Sequence, residues 1–461
     1  MTIAIDAPTT AALARRTATV AWRDLGPEVR ERAKHLVLDL IGVALRGSRE
    51  PSSVAALDAT RLLDGGDGRA TVFGSNTRLR APWAALANGT AAHALELDDV
   101  TTESSLHPGV AVIPAAFALA EERVCDGPAF LEAVVAGYEA AMRVGNALNA
   151  ASAYERGFHP TGVAGVFGAA AAAGRLLALD QGAMTCTFGV AGTFASGSLE
   201  YLSDGSWTKR LNPGWAGHAG IVAATLAANG FRGPATAVEG RLGTLHAYSD
   251  APRPQRLSSS DGAWAITDVS VKPYACCRYN HGLIDGVLEL RSAHRLAPSD
   301  VERIRLGVVS GGAVLVSEPI DKKRSPRSVV DAQFSAPFAA AVALAYGAAG
   351  LRQFTQANID DPVVQGLMAR TDCFTDASLD ACYPERWPAI VELVLRDGRV
   401  LRTQVDDATG EPRNPISTEG LIAKFTELAE GIVARPDEIA RRVLSLEDER
   451  DLSALAGLLR S

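Results

Sequence analysis

His93 to Gly109 reads HALELDDVTTESSLHPG, and nowhere else does this alanine-rich chain gather so many groups able to carry a proton. The stretch lies between AALANGTAAHAL and PGVAVIPAAFALA, two segments nearly devoid of charge. An acidic run on a surface helix should have polar flanks, so these residues are expected to be buried or half-buried inside a helical domain. Trp83–Ala92 reads as a small-residue helix that would deliver His93, Glu96 and Asp99 at intervals of three, on one face. After a polar loop, His107-Pro108 would open the next helix, since proline is well tolerated at a first helical position. His107 would then stand at a helix N-terminus.

Outward from this stretch the same pattern of long Ala- and Gly-rich helices recurs at Phe130–Asn149, Thr161–Leu179 and Ala216–Gly230. Pro27–Gly47 has helical periodicity, a charged first turn and a glycine stop. Composition changes near Ala263. ITDVSVKPYA alternates like a strand, VERIRLGVVS puts Ile304, Leu306 and Val308 on one face, and IVELVLRDGRVLRTQV is a hairpin around Asp397-Gly398. Asn280–Leu290 and Pro337–Tyr346 read as helices, and amphipathic helix returns from Thr418. The fold class is therefore mainly α: a large all-helical domain, residues 1–266 and 409–461, with a smaller α+β domain, residues 267–408, inserted before the C-terminal helices.

The chain has 461 residues, ample for two or three domains. Its 47% hydrophobic and 21% charged composition is that of a globular protein, and a net charge of −8 leaves no footprint for nucleic acid or an anionic membrane. MTIAIDAPTTAALARR lacks a basic start followed by an apolar core, and no apolar run reaches membrane-spanning length, so the cytoplasm is expected. Six scattered cysteines, with Cys276-Cys277 the one adjacent pair and no C-x2-C spacing, point to reduced thiols and no metal. No phosphate-loop or dinucleotide fingerprint follows a strand, so no cofactor is expected.

Three further clusters carry polar chemistry. GFHPTG, 157–162, is a turn before a helix, where His159 could donate to an anion near the helix N-terminus. SWTKRLNPG, 206–214, sets Lys209 and Arg210 among helices that show few charges, so that a pocket there would use them to neutralise an acid. KPYACCRYNHGLID, 272–285, runs from a strand ending at Tyr274 to a helix capped by Asn280, with His281 in its first turn and Lys272 and Arg278 close in sequence. Cation, imidazole and helix N-terminus together favour a carboxylate, and an imidazole exchanges protons near neutrality.

These segments resemble the MmgE/PrpD family, which includes 2-methylcitrate dehydratases, cis-aconitate decarboxylases and an iminodisuccinate epimerase. HALELDDV with its HPG, GFHPTG, FGAAAAAGRLLALD, KRLNPG, GFRGP, KPYACCRYNHGLID, DAQFSAPFAAAVAL and STEGLIAKF carry the resemblance nearly end to end. It implies an α+β lid over a helical domain, a homodimer and a metal-free, cofactor-free site acting on a small di- or tricarboxylic acid. The family's positions fall on Glu96, His107, His159, Lys209 and His281, with Asp98 and Asp99 in the same acidic motif. Val100 stands where animal-type decarboxylases have Thr, and Asn212 replaces the usual His of KRLH. The ELDD motif is closer to fungal decarboxylases than to methylcitrate dehydratases.

The chemistry so implied is proton abstraction next to a carboxylate, which needs donors for the developing charge as well as a base. His107, His281, Lys209, Glu96 and Asp99 are the expected catalytic residues. His159, Asp98, Lys272, Arg278 and Tyr274 are the expected substrate-binding ones. The leading expectation is a lyase of the 2-methylcitrate dehydratase type, with a cis-aconitate decarboxylase or iminodisuccinate epimerase as alternatives. A carboxylate-binding homologue without catalysis is a further one, suggested by Val100 and Asn212.

Overall fold

The computed structural model of the chain describes residues 9–258 and 262–460. Residues 1–8, where the stretch read for a leader begins, lie outside them. The chain forms two compact units, one running up to Val269 and resuming at Ser417, the other spanning Ser270–Ile416.

The first unit is helical. Pro27–Gly47 forms as expected, with proline in its first turn and a buried run from Leu36 to Leu45. Such a run leaves no polar face, so this helix lies within the core rather than on it. Pro160–Leu176 is more extreme, with every residue from Pro160 to Gly174 buried. It packs against Gly127–Leu148 and Thr208–Ala228, and the last of these packs on Ala81–Ala92. Small residues make this possible. A Cβ on Gly168 would stand 2.7 Å from Ala141 Cβ and 2.9 Å from the Gly137 carbonyl, and one on Gly89 would stand 2.8 Å from Gly214 Cα. The backbones meet where side chains cannot fit. Thr208–Ala228 starts eight residues before the expected Ala216, because Pro213 is accommodated inside the helix.

After the excursion through the second unit, Thr418–Ala429 packs against Pro27–Gly47. Lys424 Nζ donates to Asp39 Oδ1 at 2.6 Å and to the Leu97 carbonyl at 3.1 Å. Burial pushes the Asp39 carboxyl up, and the Lys424 ammonium opposes that shift.

The second unit holds a four-stranded sheet in the order Thr371–Thr375, Val301–Val308, Ala389–Leu395, Val400–Val405. The first pair is parallel and the others antiparallel, with Leu306 opposite both Cys373 and Val391. The hairpin at Asp397-Gly398 forms, its glycine at φ 89°, a region where other residues are strained. His281–His294 packs on the last two strands and on Ala336–Tyr346.

Two readings are corrected here. ITDVSVKPYA is not one strand: Ala265–Asp268 is a 3-10 turn and only Val269–Ser270 is extended. Thr267 Oγ1 donates to the Trp264 carbonyl at 2.9 Å, a side-chain bond that favours the turn over a ladder. The second unit also runs to Ile416 rather than 408, because residues 409–414 are tied inside it. Thr409 N–H donates to Asp285 Oδ2 at 2.7 Å, Val271 N–H to the Gly410 carbonyl at 2.9 Å, and Asn414 Nδ2 to the Asp407 carbonyl at 3.1 Å.

Candidate active site

Helix Ala81–Ala92 does not carry Glu96 and Asp99 on its face. It ends at His93, its C-cap, and Glu96 adopts a left-handed φ of 54°. The cause is the His93 ring, whose Nδ1 lies 2.9 Å from Asp98 Oδ2. Residues five apart on a helix point about 140° away from each other, so this pair requires the chain to fold back. Residues 101–106 close on themselves, with Thr101 N–H donating to the Leu106 carbonyl at 2.8 Å and the Thr101 and Ser104 hydroxyls 2.6 Å apart. The loop returns His107 to its own start. Pro108 is the N-cap of helix Gly109–Arg123 rather than its first residue.

Three elements thereby bring a buried cluster together. His107 Nδ1 lies 2.8 Å from Asp98 Oδ2 and 2.7 Å from the Asp99 carbonyl. Both partners only accept, so this nitrogen carries the proton and Nε2 holds the lone pair of the neutral ring. The His93 and His107 rings sit edge to face, centroids 4.8 Å apart, and His159 lies over His93 at 5.8 Å. Burial alone would raise the Asp98 carboxyl, but the His93 and His107 imidazoles outweigh it and hold the group well below the usual carboxylate range.

The donor atoms of His93, Asp98 and His107 lie within 4.8 Å of one another. Their residue types could ligate a metal. Hydrogen bonding to the shared carboxylate oxygen accounts for the closeness.

Asp99 is held between two helices. Its oxygens accept from the Tyr138 hydroxyl at 2.5 Å and from Gly109 N–H at 3.1 Å, so it braces the loop against two helices. Burial pushes its carboxyl up to about 7, against the Tyr138 hydrogen bond. Nothing in the sequence marks Tyr138, a lone tyrosine in an apolar helix. A fully buried phenol needs a partner, and Asp99 supplies it.

His159 caps helix Pro160–Leu176, with its backbone N–H donating to the Gly197 carbonyl at 2.9 Å. Its Nδ1 accepts from Asn212 Nδ2 at 3.2 Å, which puts the proton of the neutral ring on Nε2. Burial, followed by the neighbouring His93, Lys209 and His107, holds the His159 imidazole well below its ordinary value. His107 and His159 are thus opposite tautomers. Lys209, in the first turn of Thr208–Ala228, pairs with Glu96. An ammonium is disfavoured at that end of a helix, and the carboxylate compensates. Arg210 diverges, donating to Ser52 Oγ at 3.0 Å.

In the second unit Lys272 and His281 are buried, and His281 opens helix His281–His294. Its Nε2 lies 3.4 Å from the Cys276 carbonyl, and its ring meets Tyr274 edge to face. Asn280 is the N-cap, but its amide donates to the Gln333 carbonyl at 3.2 Å instead of capping. Two of the expected carboxylate binders are already committed. Tyr274 donates to Asp285, and Arg278 pairs with Glu411. Burial lowers Arg278 to about 10. All six cysteines are free thiols.

Residues 11–257 match the MmgE/PrpD N-terminal domain and residues 274–448 the MmgE/PrpD C-terminal domain. The chain belongs to the MmgE/PrpD family. Among the relatives of this MmgE/PrpD chain is the cis-aconitate decarboxylase-like protein oryM of Aspergillus oryzae, 30% identical over 95% of this chain and 94% of that one. The cis-aconitate decarboxylase of Aspergillus terreus is 27% identical over 95% and 93%, and that of Homo sapiens 28% identical over 95% and 91%. Of the positions to which the MmgE/PrpD resemblance assigns chemistry, Glu96, Asp98, Asp99, His107, His159 and Lys209 lie in the helical unit. His281 lies in the other.

Proposed function

We propose that the chain is a carboxy-lyase that decarboxylates a small unsaturated tricarboxylic acid of the cis-aconitate type. What supports this is the pair of imidazoles, His107 and His159, in one buried cluster with Lys209, with partners that favour the proton on Nδ1 of the first and Nε2 of the second. Once protonated at Nε2, His107 is an acid whose imidazolium is stabilised from behind by Asp98. Neutral His159 donates from Nε2, and Lys209 supplies positive charge for an anion.

The bond between the leaving carboxylate carbon and its methylene breaks, and carbon dioxide departs without the bonding pair. That pair forms the new double bond, and the former alkene pair moves to the carbon beside another carboxylate. Charge accumulates there as an enediolate, which the His159 and Lys209 donors stabilise. The proton from His107 Nε2 forms the new C–H bond, and water reloads the ring.

The names of relatives matched over more than nine-tenths of their length support decarboxylation. Dehydration of a 2-methylcitrate-like acid, the leading expectation from the sequence, has less support than this alternative. The test is incubation with cis-aconitate in deuterium oxide, read by NMR, beside citrate-like and substituted succinate acids. One deuteron should enter the product methylene as carbon dioxide is released. Conversion of a hydroxy acid alone, or of no acid in the panel, would overturn the proposal.

A further inference from the structure

We infer that His93 is a positioning residue, holding the shared Oδ2 of Asp98 against the His107 ring and so setting the tilt of that ring and the charge behind it, while the Asp99 carbonyl, 2.7 Å from His107 Nδ1, fixes the tautomer. The inference rests on the proposed proton exchange at His107. His93 is fully buried at the end of helix Ala81–Ala92, so its ring position is set by the helix. Its Nδ1 and that of His107 meet one carboxylate oxygen, at 2.9 and 2.8 Å. Asp98 Oδ1 and His93 Nε2 have no hydrogen-bond partner among the described residues.

Among the described residues, the side-chain groups that meet the Asp98 carboxylate are these two imidazoles. With one removed, the carboxylate is free to swing about the other, and its whole charge bears on His107. A buried leucine would fill part of the space but supply no N–H, whereas the amide nitrogen of asparagine stands close to where Nδ1 stands. The other charged or titratable groups around the triad are Asp39 with Lys424, Arg32, Asp99 with Tyr138, His159, and Lys209 with Glu96. Neither substitution replaces any of them.

His93→Leu is expected to lower kcat about 10- to 100-fold, part of the ~10²–10⁴ that a general acid or base contributes, with KM little changed. The alkaline limb of its kcat/KM profile should move to higher pH, because an unshared Asp98 carboxylate makes His107, which acts in its protonated form, more basic. His93→Asn should stay within about threefold of the native kcat. Nitrogen-15 NMR of the native protein should show the Nδ1–H tautomer for His93 and His107, a reading that needs no substrate. Native-like kcat and pH profile in His93→Leu, a loss in His93→Asn as large as in His93→Leu, or an Nε2–H tautomer at His93 would each overturn the inference. If the native protein turned over none of the acids, the proposed reaction would fail, and the tautomer measurement would still test the contact of His93 with Asp98. Should His93→Leu fail to fold, His93→Asn and the spectrum provide the test.

Discussion

At the scale of single residues, Asp98 is the group on which the cluster turns. Replacing it with asparagine removes the charge behind the His107 imidazolium: the amide oxygen can still accept from both rings at the Oδ2 position, while the amide nitrogen falls where Oδ1 has no partner among the described residues. Asp98→Asn is expected to lower kcat about 10³–10⁴-fold, the scale known when the carboxylate behind a catalytic imidazole is amidated. Steady-state kinetics beside circular dichroism check that chemistry and not folding is lost. Lys209→Ala should instead raise KM more than it lowers kcat, since the ammonium serves ground-state binding as well as the developing charge.

Asp99 makes a prediction about pH. Its folded value of about 7 lies above that of an unfolded aspartate, so the folded state binds the extra proton, and the stabilisation this gives is lost as pH rises toward 7. Asp99→Asn, which does not titrate, should gain on the native protein between pH 5 and pH 8. The expected gain in relative Tm is at least about 2–4 °C, by scanning calorimetry. Asp98, held low, acts in the opposite sense: its contribution is present above the ordinary aspartate range and is lost as pH falls below it.

Much of this cluster is legible as composition and little of it as geometry. The density of acids and histidines between apolar flanks identifies the segment and its burial. That His93 meets Asp98 rather than lining up with Glu96 depends on a left-handed residue and a loop that closes on itself, and spacing rules carry neither. Arg210 and Lys209 look alike in sequence, and only the helix phase separates them.

At the scale of elements, the helices were readable because their Ala and Gly content and lengths leave little alternative. The parallel strand Thr371–Thr375 was not, for it is short and its partner lies some seventy residues away. Close backbone approach gives a direct test. Gly168→Ala would press a methyl group against Ala141, Val112 and the Gly137 carbonyl, and is expected to destabilise the fold by about 1–3 kcal/mol. Chemical denaturation should show this as a lower midpoint with unchanged slope.

At the scale of the whole molecule, the division into a helical unit interrupted by an α+β unit follows from the shift in periodicity near Ala263. The ends of the inserted unit are set by contacts such as Thr409 with Asp285, which no local pattern announces. No helix among the described residues is long and apolar enough to cross a membrane. The homodimer implied by the family resemblance is testable by analytical ultracentrifugation. A mass near twice the 48.2 kDa of the chain is expected, and a monomer at micromolar concentration would refute it.

The clasp made by Lys424 has a consequence for biosynthesis. The backbone next to Asp98 is fastened by a residue translated more than three hundred positions later, after the entire inserted unit. A nascent chain can form its early helices but holds Asp39 without its lysine, and an unfastened acidic loop, until Lys424 emerges. Products of premature termination within the inserted unit should be catalytically dead and quickly degraded, however complete their stock of histidines.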